Sequence, residues 1–208
     1  MTLIIAVVSQ KGGVGKSTLV RALAQSAAQN QMKVKVADLD TQQGTTINWH
    51  RRRLDNGFEP VCSVEVFKTA AQALASIEES IDILIIDAPA RASRATLEIS
   101  RSADLVVQPT GASIDDLEPA ILVFHELVKK GIPKDRLVFA LNRVGTEAEY
   151  QDCTVYLSQT GYQTLDGCMY EKPAYRQAQN MGLSVLETRY ESLNTRADKL
   201  IQSLIDLL

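Results

Sequence analysis

The sequence is short of several things, and each shortage closes a class of explanation. It holds three cysteines, Cys62, Cys153 and Cys168, an odd number with no Cys-x-x-Cys pair and no Cys/His spacing. That supports neither a disulfide framework nor a zinc site, and it fits a reducing compartment. No run reaches the roughly 18 uncharged apolar residues of a membrane span. The start of the chain lacks a basic region followed by an apolar core and a cleavage site, so no secretory signal is expected and the expected location is cytoplasmic. Glycine and proline number 11 and 6, too few for a fibrous or disordered chain. Surplus positive charge is missing too. Lys and Arg total 22 against 25 Asp and Glu, a net −3, which excludes a globally basic nucleic-acid coat but not a local basic patch.

What remains is a chain of 208 residues, 45% hydrophobic and 23% charged, able to bury a substantial core. At about 150 residues per domain, one domain is expected over residues 1–208. Apolar runs of strand length alternate with longer segments of helical period. The runs are Leu3–Val8, Val34–Asp38, Val64–Phe67, Ile81–Asp87, Leu105–Val107 and Leu137–Leu141. Rich in Val, Ile and Leu, they suit central parallel strands covered on both faces. The segments Lys16–Gln29, Thr45–Leu54, Thr69–Glu79, Ser93–Arg101, Asp116–Lys130 and Thr146–Gln159 read as helices. After Gly161 the strand rhythm weakens, and two more helices are expected at Ala174–Met181 and Ser192–Leu207. The fold class is therefore α/β, a mostly parallel central sheet with helices on both faces.

The first strand runs into Ser9-Gln10-Lys11-Gly12-Gly13-Val14-Gly15-Lys16-Ser17-Thr18 and then a helix. This is the strand–loop–helix setting of a phosphate-binding loop. Its glycines let backbone N–H groups of residues 11–18 turn inward as an anion nest at a helix N-terminus. Lys16 is placed to reach the β- and γ-phosphates, and the Ser17 hydroxyl to ligate Mg²⁺. Three acidic residues sit at strand ends, where ligands bind in such sheets. Asp38 and Asp40 share a face if the strand continues, although either could instead cap the next helix. Asp87 closes Ile83-Leu84-Ile85-Ile86-Asp87, four apolar residues and a carboxylate placed to hold Mg²⁺.

The loop departs from GxxxxGK[ST] in that Gln10 holds the first glycine position and a second lysine, Lys11, follows it. Lys11-Gly12-Gly13-Val14-Gly15-Lys16-Ser17-Thr18 resembles the deviant Walker A motif of the ParA/MinD family of ATPases. Asp38-Leu39-Asp40-Thr41-Gln42 resembles the family's second signature, with Thr41 where proline is commoner. Asp87-Ala88-Pro89-Ala90 resembles its third, with Ala90 replacing a second proline. The resemblance implies ATP and Mg²⁺ as cofactors and a homodimer with ATP sandwiched, Lys11 crossing to the partner's nucleotide. It further implies Asp40 positioning the attacking water, Asp38 supporting the Mg²⁺ region, Asp116 facing the dimer, and Asn142 with Arg143 contacting the purine.

The chain looks most like small, plasmid-type ParA proteins, since no helix-turn-helix precedes the loop. That implies non-specific binding of double-stranded DNA, a ParB-like centromere-binding partner that stimulates hydrolysis, and association with the nucleoid when ATP is bound. Lys172 and Arg176, four apart on one helix face, lie in the stretch that resembles the DNA-contacting one. Solvated helix charges are the alternative reading of both. The run His50-Arg51-Arg52-Arg53 spreads around its helix rather than forming a stripe. A MinD-like membrane-cycling or protein-positioning ATPase is the rival within the family. The terminal stripe Leu200, Ile201, Leu204, Ile205, Leu207 and Leu208 is its cue, but the polar face lacks the Lys and Arg a membrane-surface helix needs. An iron–sulfur relative needs cysteines near Asp87, which are absent. A small-molecule kinase leaves Lys11 unexplained.

Overall fold

The computed structural model describes residues 2–90 and 93–208. Its centre is an eight-stranded sheet: β1 (Leu3–Val7), β2 (Val34–Asp38), β3 (Ser63–Val66), β4 (Ile83–Asp87), β5 (Leu105–Thr110), β6 (Leu137–Val144), β7 (Gln163–Thr164) and β8 (Met169–Tyr170). The order is β3-β2-β4-β1-β5-β6-β7, with β8 also on β6. Every strand pair among the described residues is parallel. The helices are α1 (Lys16–Gln29), α2 (Thr45–Asp55), α3 (Ala70–Ala75), α4 (Ser93–Ser102), α5 (Ile114–Lys129), α6 (Glu147–Ser158), α7 (Pro173–Asn180) and α8 (Glu191–Ile205).

Alternation along the strands divides the core in two, as a pleated strand must. Ala6, Leu84, Ile86, Val106, Phe139 and Leu141 face α3, α4, α5 and α6. Ile5, Val7, Val36, Ile85, Val107 and Val138 face α1 and α8. Both faces are covered, which is why the strand sequences are apolar throughout rather than alternating with polar residues.

Most boundaries shift by one to three residues from the sequence expectation, and some of the larger differences have a local reason. β5 continues through Pro109 to Thr110, because β1 stops pairing at Val107 and leaves β5 one neighbour there, a place where a strand accepts proline. α3 starts where expected, capped by the Thr69 hydroxyl accepting from Gln72 N, but ends at Ala75. There the Ser76 hydroxyl donates to the Ala73 carbonyl, a local bond that competes with helix extension. β7 and β8 are two residues each, too short to leave a period in the sequence.

Register sets the functional edge. Asp87 pairs with Val7 across β1–β4 and with Asp38 across β2–β4, so both carboxylates end their strands level with the end of β1. The order reverses beside β1, whose neighbours are β4 and β5, and the crevice at such a reversal is where α/β sheets bind ligands.

Candidate functional site

After β1 the chain turns through Ser9–Gly15 into α1. The Ser9 hydroxyl accepts from Lys11 N and donates to Lys11 O, both at 3.1 Å, which closes the turn. Gly15 precedes the first residue of α1 at φ 94°, in the left-handed region, and a Cβ there would stand 1.8 Å from Asn142 Nδ2. That contact is the reason for the glycine. Asn142 reaches from β6 and donates to Val14 O at 3.0 Å, while its Oδ1 accepts from Arg143 N at 2.9 Å. The Asn142 amide, expected at the purine, braces the loop and also lines the cleft beside it. The first turn of α1 carries no acidic residue and Gly15 supplies no side-chain cap, so its N–H groups are left to an anion.

Behind the loop lie the charged groups. Lys16 is buried, and burial lowers its pKa against the opposing pull of Asp87 and Asp40. Asp87 is 1% exposed, and burial pushes its carboxyl up to about 6, opposed by hydrogen bonds from Thr46 and Ser17. The Thr46 hydroxyl donates to Asp87 Oδ2 at 2.7 Å, whereas the buried Oδ1 has no hydrogen bond of good geometry. Asp38 is fully buried: Oδ1 accepts from Asp40 N, and Oδ2 from Thr46 N and Ile47 N, each at 3.1 Å. Asp38 thus accepts from the first-turn N–H groups of α2, while the N-cap residue itself is Gly44. Asp40 stands at the rim, its Oδ1 accepting from Gln43 N at 3.2 Å.

Lys11 lies outside this cluster with its side chain 47% exposed. Its Nζ pairs with Asp116 and donates to Asp115 O at 3.1 Å. The second bond has a cause in the sequence. Pro119 sits inside α5 and has no N–H to give the carbonyl four residues back, which is that of Asp115. The lysine takes the orphaned acceptor.

A cleft opens beside the loop. Gly13, Gly15 and Thr18 form one wall, and Glu171, Lys172 and Arg176 stand on the other. Lys172 and Arg176 therefore belong to the rim of this cleft rather than to a separate basic patch. Glu171 pairs with both Arg143, at 3.4 Å, and Arg176, at 3.3 Å. Arg143 adopts φ 57°, uncommon for a non-glycine residue, and its guanidinium also donates to Gly13 O at 3.1 Å. Gln179 Oε1 accepts from the Thr18 hydroxyl and from Arg21, tying α7 to α1. Thr46, Arg21, Glu171 and Gln179 are site residues that the sequence reading misses. Only Arg21, a buried charge on the mostly apolar face of α1, leaves a signal there.

The basic run on α2 dissolves in the structure. Arg53 is buried and pairs with Glu187 at 2.9 Å, while Arg51 is exposed. All three cysteines are free thiols. Among the described residues no three His, Cys, Asp or Glu side chains gather to hold a metal by themselves.

Comparison with known proteins decides the family. The model of the CobQ/CobB/MinD/ParA nucleotide-binding domain matches residues 5–185. The chain belongs to this family. None of the curated proteins matches it. Among solved structures, MinD of Pyrococcus furiosus is similar at 20% identity and TM-score 0.75, covering 100% of both chains. A plasmid partition protein of Borrelia burgdorferi bound to AMPPNP reaches 16% and 0.77, also over 100% of both. MinD of Pyrococcus horikoshii with Mg-ADP reaches 22% and 0.74, over 100% of this chain and 97% of that one. These likenesses establish the mostly parallel α/β fold of the MinD/ParA proteins.

The residues present suit a nucleotide with its cation. A ParA/MinD-type loop offers uncapped N–H groups and a buried lysine, and behind it lies the Asp87 carboxylate, which Ser17 reaches and whose Oδ1 is left without a hydrogen bond of good geometry. A hard cation that keeps several waters and phosphate oxygens needs only one or two protein ligands of this kind.

Proposed function

We propose that the protein is an ATP-dependent DNA-partition ATPase. It dimerises on binding ATP–Mg²⁺, binds double-stranded DNA without sequence preference, and lets go when a ParB-like partner stimulates hydrolysis to ADP and phosphate. The loop of residues 11–18 holds the phosphates, with Lys16 at the β- and γ-groups and Ser17 and Asp87 at Mg²⁺. Mg²⁺ supplies positive charge across those phosphates. Asp40, at the rim, orients the attacking water, and Arg143 lies against the base. Asp116 holds Lys11 until a second subunit's phosphates offer it a stronger anion.

The observation that carries this reading is Lys11. A second loop lysine, half exposed and paired with Asp116 on α5, is free to serve a neighbouring subunit. Between DNA and membrane, α8 favours DNA. Ala197, Leu200, Ile201 and Leu204 are buried in the core against α1, so most of the stripe a membrane-cycling helix needs is covered and only Leu207 and Leu208 at its end are exposed. No helix among the described residues is long and apolar enough to cross a membrane.

The test is binding to random-sequence duplex DNA at one stated salt concentration, with no nucleotide, ADP, ATP or a slowly hydrolysed ATP analogue. Binding confined to ATP and its analogue is expected, prolonged in Asp40→Ala, which should bind ATP without turning it over. A nucleotide-dependent dimer that ignores DNA but binds anionic vesicles would replace partition with membrane cycling.

A further inference from the structure

Asp87 has two oxygens in different situations, and one residue makes the difference. Thr46 is fully buried, and its hydroxyl donates to Oδ2 at 2.7 Å. Direction is not in doubt, because an ionised carboxylate only accepts. Thr46 is itself held at a second point, its backbone N–H donating to Asp38 Oδ2 at 3.1 Å. Asp38 and Asp87 are register partners on adjacent strands, so both anchors of Thr46 belong to one rigid edge. The other oxygen, Oδ1, is buried without a hydrogen-bond partner, and Ser17 and Lys16 both act on the carboxylate.

We propose that Thr46 is a positioning residue for the divalent cation that accompanies the nucleotide: by engaging Asp87 Oδ2 it fixes the carboxylate so that Oδ1 alone faces the cation. This rests on the ATP–Mg²⁺ reading of the site. Mg²⁺ tolerates little departure from octahedral geometry, so a carboxylate free to rotate is a poorer ligand than one held by a hydrogen bond. Asp38 then acts at one further remove. Its three N–H contacts fix the start of α2, and with it Thr46 and the backbone of Asp40. One fully buried carboxylate thus places both the cation's ligand and the residue assigned to the attacking water.

The experiment measures affinity for a fluorescent, non-hydrolysed ATP analogue across a Mg²⁺ titration, with EDTA as the cation-free reference. Wild type is compared with Thr46→Val, Thr46→Ala and Thr46→Ser, and ligand-free thermal unfolding is followed in parallel. Removing the hydroxyl should raise the Mg²⁺ concentration required by about 10- to 100-fold, the usual effect of losing such a supporting bond. Affinity in EDTA should stay within about twofold, and Thr46→Ser should behave as wild type. Should Thr46→Val fail to fold, Thr46→Ala and Thr46→Ser still make the comparison. An unchanged Mg²⁺ requirement without the hydroxyl overturns the proposal. So does an equal loss with and without Mg²⁺, which marks a merely structural role. If wild type itself binds the analogue without regard to Mg²⁺, the nucleotide–cation reading falls first.

Discussion

At the scale of single residues, the site is defined by a carboxylate kept where water does not reach. Asp87 titrates near 6 because burial disfavours its charge more than Thr46, Ser17 and Lys16 favour it. Two consequences have definite signs. Protons compete with the cation for Oδ1, so the Mg²⁺ concentration needed for analogue binding should rise about tenfold per pH unit below 6 and level off above it. A titration flat from pH 5 to 8 would take Asp87 out of the cation site. The second consequence concerns the ligand-free protein. Its folded carboxyl holds a proton more tightly than the unfolded one, whose pKa is about 4, so stability is fully present below pH 4 and is lost as pH rises through 6. The cost at neutral pH is about 3 kcal/mol. Asp87→Asn should therefore melt higher than wild type at pH 7.5 without ligand while losing its response to Mg²⁺. A lower melting temperature would show that the charge is compensated by its neighbours.

At the scale of elements, what the sequence announces depends on how far its causes reach. α1 and β2 fall at the residues expected, Lys16–Gln29 and Val34–Asp38, because a run of small apolar residues at helical period and a strand buried on both faces are local patterns. The loop between β1 and α1 was legible for the same reason, as a run of glycines and lysines with no competing local structure. Contacts across the chain were not. That Asn142 braces the loop, that Arg53 is a core residue and that Thr46 meets Asp87 all depend on partners 40 to 130 positions away. The joint between α2 and the end of α7 is the clearest case. Trp49 Nε1 donates to Leu183 O at 3.0 Å, Asn56 to Met181 O at 3.1 Å and Arg53 to Gly182 O at 3.3 Å, so three side chains of or beside α2 fasten one turn. Gly182 lies there at φ 81°, and a Cβ would stand 2.3 Å from Arg53 N, against backbone that cannot yield. Gly182→Ala combines a left-handed residue with a backbone clash and should cost at least about 3 kcal/mol. Thermal unfolding should fall by roughly 6–12 °C. A loss below about 1 kcal/mol would mean that the two helices part easily and that α7 is not fixed to α2.

At the scale of the whole molecule, the difficulty for the partition reading is the charge of −3. An acidic protein repels DNA at long range, so attraction has to come from cations presented within a Debye length of about 10 Å of the phosphates. Lys172 and Arg176 occupy such a position at the cleft rim, with Glu171 offsetting part of their field. A dimer doubles them to four. Four neutralised phosphates give a slope of about −3.6 in log affinity against log salt, a loss of roughly 150-fold between 50 and 200 mM. The expected result for the ATP-bound protein is a slope near that value. In the Lys172→Ala, Arg176→Ala double variant it should approach zero, with dimerisation on the ATP analogue intact. A slope twice as steep in wild type would call for further cations, of which Arg51 on the exposed side of α2 is the first to change. A slope that survives the double variant would move the DNA off this rim altogether and return Lys172 and Arg176 to the cleft beside the nucleotide, where Glu171 already connects Arg176 to Arg143.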